Sequence, residues 1–104
     1  MSRDFRRLIY TDGFGPRDEY ETPLRGYRAD VIAQLEDDSE YSMSFYDPTR
    51  LKQVLDDEVA GGSPFFTEVG LVIVPEVTRE NMEKAAEELC RQGFFDSLRP
   101  RSSK

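Results

Sequence analysis

Histidine and tryptophan are absent from this chain of 104 residues, and cysteine occurs once, at Cys90. Without histidine there is no Ser-His-Asp or Cys-His nucleophile system, and the commonest metal ligand is missing. One thiol closes no intrachain disulfide and builds no thiolate zinc site. Cys90 falls on an apolar helical stripe, where a free cysteine reads as a small buried hydrophobe rather than a reactive thiol. Long apolar runs are missing too. The longest, Leu71-Val72-Ile73-Val74, is far short of the roughly 18 residues of a membrane span. The opening Met1-Ser2-Arg3-Asp4-Phe5-Arg6-Arg7 has no apolar stretch behind its charges. No secretory signal is therefore expected, and a cytoplasmic location is.

Glycine-rich phosphate loops are not represented either. Asp12-Gly13-Phe14-Gly15 lacks the Lys-Ser/Thr of a P-loop and the third glycine of the dinucleotide fingerprint, so it reads as a turn. Carboxylates are plentiful. Asp37, Asp38 and Glu40 form one group and Asp56, Asp57 and Glu58 another, but neither has the alternating ligands and central glycine of an EF-hand loop. They read as a hairpin turn and as the wet side of a helix. No catalytic group, metal or cofactor is expected.

What remains is acidic, with a net charge of −7. The ends oppose that sign: Arg3, Arg6 and Arg7 at one, Arg99, Arg101 and Lys104 at the other. Setting aside residues 1–7 and 99–104 leaves eight basic and twenty acidic residues, a body at −12. Such a body repels nucleic-acid phosphates and anionic membranes, and favours a basic protein surface. It also keeps a small protein soluble, which is the plainer reading.

Order along the chain comes from hydrophobic period and punctuation. Residues 8–11 read as a first strand, and residues 12–26 as an irregular charged connection holding Pro16, Pro23 and Gly26. Tyr27, Ala29, Val31, Ala33 and Leu35 alternate with mostly polar neighbours, as do Tyr41, Met43 and Phe45. This is a hairpin with odd-numbered residues inward and a turn at residues 36–39. Asp47-Pro48 starts a helix over residues 48–60 that Gly61-Gly62 ends. Residues 71–74 are apolar on both faces, as in a covered central strand or a dimer edge. Gly70 leaves open whether residues 65–74 are one bulged strand or a tight hairpin. Thr78 caps a last helix over residues 79–92, closed by Gly93.

The expected fold is therefore α+β. A mostly antiparallel sheet of about four strands, in the order β-β-β-α-β-α, carries two helices packed on it. Residues 1–98 make one domain and residues 99–104 a flexible basic tail. The expected core holds Val31, Ala33, Phe45, Leu51, Leu55, Ile73, Met82, Ala86 and Leu89. In Phe65-Phe66 and Phe94-Phe95 the two rings cannot face one way. Each pair straddles core and loop, or exposes one ring as a partner's anchor.

Arg6-Arg7-Leu8, the hairpin of residues 27–46, Asp47-Pro48-Thr49-Arg50-Leu51 and the last helix closed by Gly93-Phe94-Phe95 together resemble the plan of the immunity protein 8 family of bacterial polymorphic toxin systems. The resemblance implies a non-enzymatic inhibitor that plugs or masks a toxin domain.

The expectation is thus a non-catalytic acidic domain that binds a protein, with a toxin domain of basic surface as the first candidate. The expected contact residues are Asp18, Glu19 and Glu21 in the connection and Glu36, Asp37, Asp38 and Glu40 at the hairpin turn. The alternatives are a structural or regulatory homodimer joined at residues 71–74 or a hairpin edge, and a small carboxylate-dependent enzyme.

Overall fold

The computed structural model describes residues 3–101. It is an α+β domain whose elements run β1 (Phe5–Tyr10), α1 (Pro16–Arg25), β2 (Tyr27–Leu35), β3 (Glu40–Tyr46), α2 (Pro48–Ala60), β4 (Leu71–Ile73), α3 (Arg79–Arg91) and a short 3-10 helix (Phe94–Ser97). The four strands lie in chain order across one sheet. β1–β2 and β2–β3 are antiparallel, while β3–β4 is parallel. Parallel neighbours need a crossover, and α2 with the loop after it provides one.

The hairpin turn is built by its polar residues. Asp38 takes a left-handed φ of 69°, and the Asp37 carboxylate accepts from the backbone N–H and the hydroxyl of Ser39. Aspartate suits this place because its short side chain satisfies the local backbone while tolerating positive φ. Leu8, Val31, Ala33, Leu35, Tyr41, Met43 and Phe45 face inward and are buried. α3 lies over them with Met82 and Ala86 buried, and Phe95 packs its ring 5.1 Å from that of Tyr41. Val74 and Val77 close the core between β4 and α3.

Four expectations change. Residues 12–26 are not wholly irregular, since residues 16–25 form α1. Pro16 starts it, Asp18 accepts a hydrogen bond from the Gly15 N–H, and Gly26 closes it at a φ of 79°. The signals were those of any helix, but Pro23 inside the segment masked them. Second, the odd-numbered face of β2 does not run its full length. Arg28 opposes Phe45 and Val31 opposes Met43, so Ala29 and Asp30 bulge. Asp30 takes a φ of 59°, and Tyr27 is thrown to the outer face, where it stacks on Tyr46.

Third, β4 is neither a central strand nor part of a hairpin. It is a three-residue edge, with Ile73 54% exposed. Fourth, α2 buries no residue. Leu51 and Val54 are half-buried, and Leu55 and Val59 are 40% and 54% exposed. Leu55 and Ile73 therefore leave the core list. Leu51 and Leu89 are half-buried, Leu89 packing against the core. α3 covers the inner face of the sheet, and α1 packs against β2 with Thr22 buried.

The C-terminal segment stays attached as far as it is described. The backbone N–H of Arg101 donates to the Glu40 carbonyl at 2.7 Å. The remainder of the expected tail lies outside the described residues.

Candidate protein-binding surface

The carboxylates expected to meet a partner fall into two groups at opposite ends of β2. Nine extended residues separate them by roughly 25 Å. Each group is matched by cations of its own chain. In α1, Asp18 lies 3.6 Å from Arg28, Glu19 lies 3.6 Å from Arg79, and Glu21 lies between Arg17 and Arg25 at 3.0 and 3.5 Å. At the hairpin turn, Glu36 and Asp38 share Arg6 at 3.6 and 2.8 Å, and Asp37 lies 3.6 Å from Arg3. Glu40 meets Arg101 at 3.4 Å. The Ser39 donors hold the Asp37 carboxyl below its ordinary value, with Arg3 adding to the effect.

The basic ends thus fold back onto the acidic turn. Asp38 remains 76% exposed, but its charge is offset by a neighbour at 2.8 Å. Surface pairs of this kind contribute little to stability, about 0–1 kcal/mol each. Their effect here is on the field, which weakens at the places where sequence alone puts it.

Arg28 and Arg79 carry a second duty. Both guanidinium groups lie 5.1–5.7 Å from the ring centres of Tyr10 and Phe14, and Arg79 also donates to the Phe14 carbonyl at 2.7 Å. These contacts fasten the turn after β1 to the start of α3. Burial pushes the Tyr10 phenol up to about 12, with Glu83 adding to the rise and Arg79 and Arg28 opposing it.

Among the described residues no group of three or more Cys, Asp or Glu side chains could hold a metal ion. In the hollow lined by Asp12, Asp18, Asp30, Arg25 and Arg28, Asp18 pairs with Arg28 at 3.6 Å. Cys90 is half-buried and its thiol donates to the Arg3 carbonyl at 3.0 Å. Burial, then Asp4, raises its ionisation above the ordinary thiol value, so it is held as a thiol.

The unpaired surface is apolar and lies elsewhere. Among the described residues seven large hydrophobic side chains are exposed, and five of them, Leu55, Val59, Phe65, Val69 and Ile73, fall in one stretch of sequence from α2 to β4. Single exposed hydrophobes are ordinary, but Leu55 and Val59 stand four residues apart and share one face of α2. Phe66 turns inward onto Tyr46, an edge-on contact at 5.8 Å, while Phe65 is 59% exposed. The Tyr46 hydroxyl donates to Glu68 at 2.8 Å and holds the loop to β3. Burial first, and this bond second, raise the Tyr46 phenol to about 12.

The charges of α2 run against its dipole. Arg50 and Lys52 stand in its first half, and Asp56, Asp57 and Glu58 near its end, with no basic residue in the last turn. Carboxylates beside a helix C-terminus are each unfavourable by about 0.3–1 kcal/mol. Lys52 answers Asp56 at 2.8 Å. No ion pair is recorded for Asp57 or Glu58 among the described residues.

No protein-family model, curated protein or solved structure matches the chain. No helix among the described residues is long and apolar enough to cross a membrane.

Proposed function

We propose that the chain is a non-catalytic protein-binding domain. The observation that carries this reading is the segment after α2, which leaves Phe65, Val69 and Ile73 in water. Exposing such side chains costs hydrophobic free energy, about 25 cal/mol per Å² of apolar surface that a fold could otherwise bury. The complementary partner is a protein with an apolar patch rimmed by Lys and Arg. Aromatic and aliphatic anchors would supply the affinity, and the carboxylates would orient the approach. The resemblance to immunity protein 8 makes a toxin domain of basic surface the first partner to test. The carboxylates of α1 and of the hairpin turn then act as a secondary rim, because Arg residues of the same chain already offset them.

A homodimer through the β4 edge has less support. β4 spans three residues. Val74 donates to Tyr46 and Ser44 donates to Gly70 across the β3–β4 pair, so alternation turns the Ile73 N–H and C=O outward. Pro75, the next outward position, has no N–H to give.

The test is affinity capture from extract of the native cell. Wild-type chain and a Phe65→Ser/Ile73→Ser variant are immobilised in parallel. A specific protein retained by the first and lost from the second supports the reading. Equal retention on both, or none on either, refutes it.

A further inference from the structure

We infer that α2 pairs with α2 of a second copy of this chain, antiparallel and about a twofold axis near Leu55. Three observations converge. α2 is amphipathic yet buries nothing, with Leu55 and Val59 exposed. Its charges are segregated along its length, Arg50 and Lys52 first and Asp56, Asp57 and Glu58 last. No cation of the same chain is recorded beside Asp57 or Glu58 among the described residues.

An antiparallel copy answers the first two, and brings a cation to one flank of the acidic run. It sets Leu55 against its own counterpart and Leu51 against Val59 of the second copy. It brings Lys52 of each helix to the flank of the seam where Asp56 of the other lies, whereas Asp57, two residues on from Leu55, turns to the far side of the helix. The positive end of each helix dipole then lies at the negative end of its neighbour, which removes the mismatch within the isolated helix. The contact is isologous and closes on itself, so it makes a dimer and not a filament. A parallel pairing would align acidic run with acidic run, and is excluded by the same charges. The net charge of −7 does not prevent this, because at physiological salt charges more than about 8 Å apart are largely screened, whereas those flanking the seam are adjacent.

The test uses the chain alone, so its outcome is independent of any heterologous partner. Size exclusion with light scattering, run from micromolar to millimolar protein, reads the mass against the 12.0 kDa of one chain. Wild type should approach twice that mass as concentration rises. Leu55→Glu should weaken association at least tenfold with an unchanged circular dichroism spectrum, because the site is exposed. Lys52→Glu alone and Asp56→Lys/Asp57→Lys/Glu58→Lys alone should each weaken it, and mixing these two variants should restore a dimer. Wild type that stays at 12.0 kDa throughout overturns the inference. So does a dimer indifferent to Leu55→Glu, or a mixture of the charge variants that stays monomeric.

Discussion

Gly70 is the position where one methyl group should do most damage outside the core. Its φ is +71°, and a Cβ placed there would sit 2.1 Å from the Ser42 carbonyl oxygen and 3.0 Å from the Met43 Cα. Both obstacles are β3 backbone and cannot swing aside. Two costs add. Left-handed backbone costs a non-glycine residue about 1–2 kcal/mol, and forcing extra atoms into a filled space costs about 1–3 kcal/mol. The bond from Ser44 N–H to the Gly70 carbonyl, 3.0 Å long, is the one that stretches when β4 retreats. Gly70→Ala should therefore lose about 2–5 kcal/mol, a large part of the roughly 5–15 kcal/mol that holds such a domain. Gly13 is the control. Its φ is +80° and nothing lies within 4 Å of a Cβ there, so Gly13→Ala carries the conformational cost alone. Urea unfolding of both variants, followed by far-ultraviolet circular dichroism, measures the difference. Equal loss in the two would show that Gly70 does not clamp β4 to β3, and the argument from close approach would be wrong.

Two further perturbations probe the core and the loop. Met82→Ala, at a fully buried position, should cost about 2–5 kcal/mol, whereas Leu55→Ala, 40% exposed, should cost under about 1 kcal/mol; thermal melts of the two that coincide would place the core elsewhere. Tyr46, raised to about 12 from an ordinary value of 10.0, is protonated in the folded chain where the unfolded chain has begun to ionise. Its contribution is complete below pH 10 and is lost as pH rises towards 12. Tyr46→Phe should give a shallower fall in stability over that window, without abolishing it because Tyr10 is raised in the same way; denaturant midpoints at pH 8, 10 and 11 that fall in parallel for both proteins would refute this.

Local signals read the fold well wherever one element's chemistry is self-contained. Asp47 and Thr78 cap their helices through Arg50 and Asn81 backbone N–H groups, and Pro48–Ala60 is helical from end to end as the punctuation requires. The hairpin pairs in register because alternation is unambiguous from Val31 to Phe45. The failures are of another kind. The stripe Leu51, Val54, Leu55 and Val59 has the spacing of a core-facing helix, but spacing states only that a face is apolar. It does not say whether the chain's own sheet or something else covers it. Ile73 fails likewise, since an apolar run has the same appearance in a central strand and at an exposed edge. The bulge at Ala29 and Asp30 is invisible because Asp30 at positive φ leaves no mark that distinguishes it from an ordinary polar residue of the strand.

Ion pairing within the chain changes the electrostatic picture for a reason that generalises. A surplus of charge was read along the chain, with the basic ends set apart from the acidic body, whereas the field is made in space. Arg3, Arg6 and Arg101 are remote in sequence from the residue 36–40 turn, up to 61 positions away, yet each lies within 4 Å of one of its carboxylates. The ends subtract from the turn where the sum along the sequence put the surplus. Of the residues that sequence alone singles out for a partner, Asp18, Glu19, Glu21, Glu36, Asp37, Asp38 and Glu40 all have a cation of the chain at hand. Among the described residues, those left without one include Asp57 and Glu58, on the same helix as Leu55 and Val59. The exposed apolar stripe is what sets α2 apart, since Asp12, Asp30, Glu76, Glu83 and Glu87 also have no ion pair among the described residues. Acidity alone would keep a chain soluble, and one exposed leucine would mean nothing. An amphipathic helix that buries no residue and carries carboxylates against its own dipole is poorly explained by the stability of a single chain, and well explained by contact with another.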